Sequence, residues 1–278
     1  MPVLELADRS IYHETFGDPA DPLLLLVNGL TSQLTMFPVE FCEAFVDRGF
    51  HVARYDNRDC GLSTIFPEGA SYTLSDMADD AAQLIEHLSD EPAHVFGISM
   101  GGMIVQTLAA ERPELVASMT SYASTTGNPD VGLPTPEAWE LLMAPAPTTR
   151  EEAIEAGLAG KRMWGTADTW DPVEWAEFCG ANWDRSHPEG GGERQFAAIS
   201  AAGDRSERVA TIRRPSLVIH GDADTLIAAS GGRHTAELIP GAEYIEVENM
   251  GHDIPITEWP MIVSSVTSLA VRANQEVA

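Results

Sequence analysis

Apolar residues recur along this chain in two alternating rhythms. Leu23-Leu24-Leu25-Leu26-Val27 is an unbroken aliphatic run that stops at Asn28-Gly29, the pattern of a central strand covered on both faces. His51 to Tyr55 predicts a second short strand, closed by the polar run Asp56-Asn57-Arg58-Asp59. Between Leu74 and Leu88 the period changes. Met77, Ala81, Leu84 and Leu88 fall on one face of an amphipathic helix. A strand over residues 93–96, a helix over 103–110 and a strand over Val116–Tyr122 follow. Strands alternating with helices predict a mostly parallel central sheet with helices on both faces.

From Thr126 to Arg208 the alternation stops. This stretch carries Pro129, Pro134, Pro136, Pro145, Pro147, Pro172 and Pro188 with helical patches between them. It also carries Trp139, Trp164, Trp170, Trp175 and Trp183, five of the six tryptophans. The sheet pattern then resumes with a strand over 216–220, a helix over 232–238, a strand over 242–247 and a final helix over 258–271. The expected organisation is a core of residues 1–125 and 209–278 with a helical lid, 126–208, inserted into it.

The bulk numbers narrow the class. A chain of 278 residues, 44% hydrophobic, is long enough for one large domain with a real core. A formal net charge of -27 repels nucleic acid and anionic membranes. Lys161 is the only lysine, against fifteen arginines; the skew reads as a habit of the source, without bearing on catalysis. Cys42, Cys60 and Cys179 are widely spaced, so reduced thiols are expected and not a disulfide framework. The first residues, Met1-Pro2-Val3-Leu4-Glu5-Leu6-Ala7-Asp8, offer no basic region followed by an apolar stretch, and a cytoplasmic address is the simplest expectation. Monomer and homo-oligomer are equally compatible with this sequence.

One motif carries chemistry. Gly97-Ile98-Ser99-Met100-Gly101-Gly102 joins a predicted strand to a predicted helix. This is the setting of a nucleophile elbow, where a sharp turn holds a serine hydroxyl out over the carboxyl edge of the sheet. The alternative is a glycine-rich turn whose serine caps the helix. A serine nucleophile needs a base, and the expected chain order is serine, acid, histidine. His252, in Asn249-Met250-Gly251-His252-Asp253, follows the last predicted strand and is the expected base. His220 ends a strand and His234 lies in a helix, both read as structural. The acid should follow the strand over 216–220, where Asp222 and Asp224 compete in His220-Gly221-Asp222-Ala223-Asp224. Asp224 lies deeper in the loop and is favoured; Asp222 is better placed to hold the loop by accepting backbone N–H groups. Asp253 is a distant third, because it would have to reach around its own backbone. The oxyanion donors are expected to be the N–H of Met100, after the nucleophile, and the N–H of Leu30, where Gly29 permits close approach.

With these residues in order, the chain resembles the α/β-hydrolase superfamily over nearly its whole length. Tyr55-Asp56-Asn57-Arg58-Asp59-Cys60-Gly61-Leu62-Ser63 is similar to a loop that is structural in those proteins. In the family's H-G-x-x-D pattern the last aspartate is the acid, which the resemblance places at Asp224. Within the superfamily the chain looks like cofactor-free esterases of the aclacinomycin methylesterase group, and is similar to enol-lactone hydrolases and cofactor-free haloperoxidases or perhydrolases. Two departures stand out: Asn28-Gly29 replaces the usual His-Gly, and Ile227-Ala228-Ala229 replaces a proline after the acid.

The expected function is hydrolysis of a small-molecule carboxylic ester by Ser99, His252 and Asp224 through an acyl-enzyme, with no metal and no organic cofactor. A lactonase, a C–C hydrolase or a perhydrolase on the same triad is the nearest alternative. A catalytically silent ligand receptor is the alternative from another class. Trp164 and Trp170 in the lid, with Met36 and Phe37 beyond the oxyanion loop, are the expected substrate-binding wall for an apolar or aromatic ester. The opposing reading is that the lid aromatics are the lid's own core.

Overall fold

The computed structural model describes residues 2–277. Its strands are β1 (Val3–Glu5), β2 (Ser10–Phe16), β3 (Leu23–Val27), β4 (His51–Tyr55), β5 (Ala93–Ile98), β6 (Val116–Tyr122), β7 (Ser216–Gly221) and β8 (Glu243–Val247). They form one sheet in the order β1-β2-β4-β3-β5-β6-β7-β8. β1 and β2 pair antiparallel with their neighbours, and every other pairing is parallel. The helices are α1 (Val39–Val46), α2 (Leu74–Leu88), α3 (Met100–Glu111), α4 (Pro136–Leu142), α5 (Arg150–Trp164), α6 (Pro172–Arg185), α7 (Gly191–Ala202), α8 (Ser206–Val209), α9 (Ala229–Leu238) and α10 (Trp259–Val277).

The aliphatic run of β3 is buried along its length because each face meets a different layer. Leu23, Leu25 and Val27 pack with Leu84 and Ile85 of α2 and Ile104 and Leu108 of α3. Leu24 and Leu26 pack with Phe41 and Phe45 of α1 and Ile262 and Leu269 of α10. A fully buried leucine contributes about 1.5–3 kcal/mol, so this strand alone accounts for a large share of the fold's driving force. β1, β2 and α1 go beyond the elements that the periodicity predicts. In β2 the inward positions are Ile11 and His13, so a histidine occupies a site where a strand pattern would show an aliphatic residue. No helix among the described residues is long and apolar enough to cross a membrane, and the three thiols are unpaired.

Between β6 and β7 the chain forms five helices, α4 to α8, and no strand. The prolines there do not interrupt helices: five lie in the connecting loops and two start helices. Pro136 and Pro172 stand at the first turns of α4 and α6 behind the capping side chains of Thr135 and Asp171, where a missing N–H is no loss. This helical segment is fastened to the sheet by a buried polar network. The Asp56 carboxylate, with no exposure, accepts Arg185 Nη2 at 2.7 Å and the N–H groups of Leu34 and Leu62 at 2.8 and 2.9 Å. Arg185 also donates to Gln33, whose amide donates to the carbonyls of Asn182 and Ser186.

Removing the cation from a buried carboxylate leaves an uncompensated charge, whereas exposed ion pairs contribute little. Arg185→Met is therefore expected to lower the unfolding free energy by about 3 kcal/mol. Arg208→Met, at the exposed pair with Glu111, should change it by less than about 1 kcal/mol. Urea unfolding of the two variants beside the wild type checks the contrast.

Candidate active site

Ser99 alone spans the reversal from β5 to α3, since Ile98 is the last strand residue and Met100 the first helical one. Its backbone sits at φ 57° and ψ -120°, a conformation that costs a non-glycine residue on the order of 1–3 kcal/mol. Neighbouring backbone leaves no room for side chains: a Cβ on Gly97 would collide with the Gly101 carbonyl, and one on Gly101 with that of Val27. Both Ser99 backbone groups are satisfied. Its N–H donates to Tyr122 O at 2.9 Å, and its carbonyl accepts Ser124 Oγ at 2.7 Å. The side chain makes no capping bond to α3, so the capping-serine alternative has no geometric support.

His252 Nδ1 stands 2.6 Å from Asp224 Oδ2. The other carboxylate oxygen of Asp224 accepts the N–H groups of Leu226 and Ile227, each at 2.9 Å. Burial by itself pushes the Asp224 carboxyl up, but the imidazoles of His252 and His220 outweigh it and bring the group down to about 2. Asp224 is therefore an anion throughout the neutral and mildly acidic range. His220, structural on the sequence pattern, has two partners. The structure sets its Nε2 at 2.7 Å from Ile227 O and 3.3 Å from Asp224 Oδ2. A carbonyl only accepts, so Nε2 carries the proton and donates toward both oxygens. The signal was the four-residue spacing within His220-Gly221-Asp222-Ala223-Asp224.

The competing carboxylates point elsewhere. Asp222 is exposed and accepts the Asn249 N–H at 2.6 Å, holding one loop to the next. Asp253 turns away from the His252 ring toward Lys161 and Thr166. Ser99 Oγ makes no hydrogen bond to His252 among the described residues; Tyr122 links their loops. Its carbonyl accepts Ser99 N–H, while its hydroxyl donates to Asp253 O at 2.6 Å.

The loop after β3 lies against the serine. A Cβ on Gly29 would stand 3.2 Å from Ser99 Cβ and 3.7 Å from its Oγ. Leu30 follows directly, and Met100, as the first residue of α3, has an N–H with no intrahelical acceptor. Asn28, at the position where a histidine is usual, is fully buried. Its side chain donates to Tyr55 O at 3.4 Å and its carbonyl accepts Asn57 Nδ2 at 3.1 Å. The loop is held from the helical segment by Gln195 of α7. Its Oε1 accepts the Thr31 N–H and its Nε2 donates to Arg58 O, both at 2.8 Å. Nothing in the sequence marks Gln195, because its two partners lie on separate loops.

The predicted substrate wall divides. Phe37 is fully buried in the core against Phe41 and Phe96, with no surface to offer a ligand. Met36, Trp164 and Trp170 are half-buried. Trp175 stacks on Phe178 and donates Nε1 to Gly157 O, and Trp183 stacks on His187; these two rings pack the helical segment itself. An open groove of about 660 Å³ between α4 and α5 is lined by Leu141, Ala144, Ala159 and Met163 with Glu137, Glu140 and Arg162, and by none of the predicted wall residues. Among the described residues no three His, Cys, Asp or Glu side chains gather in a way that could hold a metal ion.

The alpha/beta hydrolase fold family matches residues 22–258 of this chain. A rhodomycin D methylesterase of Streptomyces sp. (strain C5) is 31% identical over 89% of this chain and 90% of its own. The 3-oxoadipate enol-lactonase 2 of Acinetobacter baylyi is 27% identical, covering 85% of this chain and 84% of its own. The crystal structure of the enol-lactonase from Burkholderia xenovorans LB400 shares the fold, with a TM-score of 0.77 at 24% identity over 97% of this chain and all of that one. A match running from the residue before β3 to the residue before α10 establishes that the chain belongs to the alpha/beta hydrolase fold family.

Proposed function

We propose that this protein is a serine hydrolase that cleaves a carboxylic ester of an apolar or aromatic small molecule, with Ser99 as nucleophile, His252 as general base and Asp224 as the orienting acid. The observation that carries the reading is the 2.6 Å contact between His252 Nδ1 and a buried, ionised Asp224, set on the same sheet edge as a serine in a strained reversal. Asp224 fixes the imidazole tautomer so that Nε2 accepts the Ser99 proton, and it stabilises the imidazolium that results. The Oγ–Nε2 contact closes as substrate seats, as such contacts commonly tighten on complex formation. Attack on the ester carbonyl develops an oxyanion facing the N–H groups of Leu30 and Met100. His252 then protonates the leaving alcohol, and water repeats the cycle on the acyl-enzyme.

The choice of an ester rests on the methylesterase relative, and the choice of an apolar or aromatic substrate on the half-buried Trp164 and Trp170 with Met36. We read the helical segment over 126–208 as the lid over that site. The likeness to enol-lactonases favours a second reading, hydrolysis of a lactone, in which the same acyl-enzyme forms and the leaving alcohol stays tethered.

Ser99→Ala is expected to abolish ester hydrolysis in a folded protein. Asp224→Asn should lower kcat by roughly 10⁴, while Asp222→Asn, which loses only a loop contact, should stay within about tenfold of wild type. Turnover of an aryl methyl ester in the three purified variants decides it. A dead Asp222→Asn beside an active Asp224→Asn would reverse the assignment, and an active Ser99→Ala would remove it.

The lid reading makes its own prediction. Trp164→Ala or Trp170→Ala should reduce kcat/KM for a bulky aryl ester by roughly 10- to 100-fold, the scale of a few kcal/mol of aromatic contact. The effect on a small acetate ester should be slight. Paired kinetics with a thermal melt test this; equal losses on both esters with a lowered melting temperature would make these rings lid core.

A further inference from the structure

Lysine side chains are rarely buried, and the only lysine of this chain is largely withdrawn from solvent. Lys161, in the last turn of α5, has a side chain 10% exposed, and its partner Asp253, at 2.5 Å, is 8% exposed. The ammonium also stands 4.4 Å from the centre of the Trp175 ring on α6, a favourable cation–π placement. Asp253 is the residue after His252. Its carboxylate receives the Thr166 N–H at 3.1 Å on both oxygens and the Thr166 hydroxyl at 2.5 Å on Oδ1. The same hydroxyl oxygen accepts the Gly251 N–H at 2.9 Å, and the His252 N–H donates to Trp164 O at 2.5 Å. Residues 251–253 are thus gripped from the helical segment by 161–166, and from the sheet by the Tyr122 hydroxyl on Asp253 O.

We propose that Lys161 is a positioning residue for the general base: its ion pair with Asp253 fixes the loop that aims the His252 ring at Ser99. The inference rests on the triad reading above. Without the ammonium, the buried Asp253 carboxylate loses its only counter-charge among the contacts described, and a buried anion stripped of its cation rearranges or draws in water. The backbone that would move carries the imidazole one residue away. A shift of about 1 Å at a catalytic group costs up to about 10²-fold in rate. The one hydrogen bond of the Lys161 ammonium among the described residues is to Asp253, so its loss is expected to act on kcat through that loop and not on KM.

The test is steady-state kinetics of Lys161→Met, which keeps the apolar stem against Trp175 and removes the charge, and of Lys161→Arg, which keeps the charge. The low-field proton resonance of the His252 Nδ1–H···Asp224 hydrogen bond is followed in the same samples. Lys161→Met is expected to lower kcat by roughly 10- to 100-fold with KM within about twofold, and to shift or broaden that resonance. Lys161→Arg should recover most of both. Asp253→Asn should reproduce the loss, with no further loss in the double variant, and it decides the matter if Lys161→Met does not fold. Full kcat with an unmoved resonance and a lowered melting temperature would overturn the proposal, leaving a stabilising pair. A raised KM at unchanged kcat would also overturn it, assigning the ammonium to substrate. Ser99→Ala and His252→Ala run alongside: activity in either removes the triad reading and this inference with it. Inactive Ser99→Ala and His252→Ala beside a fully active Lys161→Met or Asp253→Asn removes this inference alone.

Discussion

The one-residue reversal at Ser99 is the constraint around which the rest is arranged. A serine at φ 57° and ψ -120° has a local cost of on the order of 1–3 kcal/mol, comparable to what the three hydrogen bonds on its own backbone, with Tyr122, Ser124 and Met103, return at about 1 kcal/mol each. The balance comes from the layers it joins. β5 lies between β3 and β6 at the centre of the sheet, and α3 is buried on nearly every face. Neither element can move to relax the turn. Gly97 and Gly101 are where the two backbones meet, and any side chain there would have to displace a carbonyl. The strain is therefore held by packing that extends over both hydrophobic layers, and the hydroxyl is presented without a conformational search.

The loops around the serine are fixed with the same economy but by polar contacts. Asp224 is held in four directions by two amides and two imidazoles. The loop after β3 is held by Gln195, and the His252 loop by Trp164, Thr166 and Lys161. All four of those holding residues lie in the helical segment between β6 and β7. A segment that reads in sequence as a cover is also part of the frame that holds the loop after β3 and the loop around His252.

What the sequence disclosed follows from how far apart the partners are. The parallel strands were legible because a strand covered on both faces must be apolar at successive positions, as β3 is. The elbow was legible because its glycines, serine and helix are contiguous. The meeting of His252 with Asp224 was legible by order along the chain, although they lie 28 positions apart. β2 was not, because the buried His13 interrupts its alternation; α1 was not, because Phe41, Cys42 and Phe45 give barely more than one helical turn of signal. Phe37 was placed on the wrong side of its loop: an aromatic residue after an oxyanion loop reads equally as pocket or core, and only the neighbouring Phe41 and Phe96 decide for core. Gln195 and Lys161 act across 164 and 92 positions, and no local pattern could have joined them to Thr31 and Asp253.

The polar fastening also bears on how a substrate would enter. A lid that swings as a rigid body would have to break the Arg185–Asp56 and Arg194–Asp59 pairs, whose carboxylates have no exposure, together with the Gln195 and Lys161 contacts. Exposing a buried ion pair to water is not free of cost, and each orphaned partner left behind costs several kcal/mol. Opening all four at once is a larger rearrangement than moving an element that carries none of these ties. α4 is the exception. It is short, its Trp139 and the following Met143 are exposed, and among the described residues no ion pair ties it to the sheet. The Thr135 N–H donates to Thr225 O, and within the helical segment α4 packs on α5 and sets Trp139 against Phe196 of α7. The helical segment thus divides into a part, α5 to α7, that holds the loop after β3 and the loop around His252, and a part, α4, without ion pairs to the sheet, beside the residue that follows Asp224. On the proposed function, access by local movement of α4 leaves the triad geometry undisturbed while the site fills, which is what a preorganised acyl-transfer site requires.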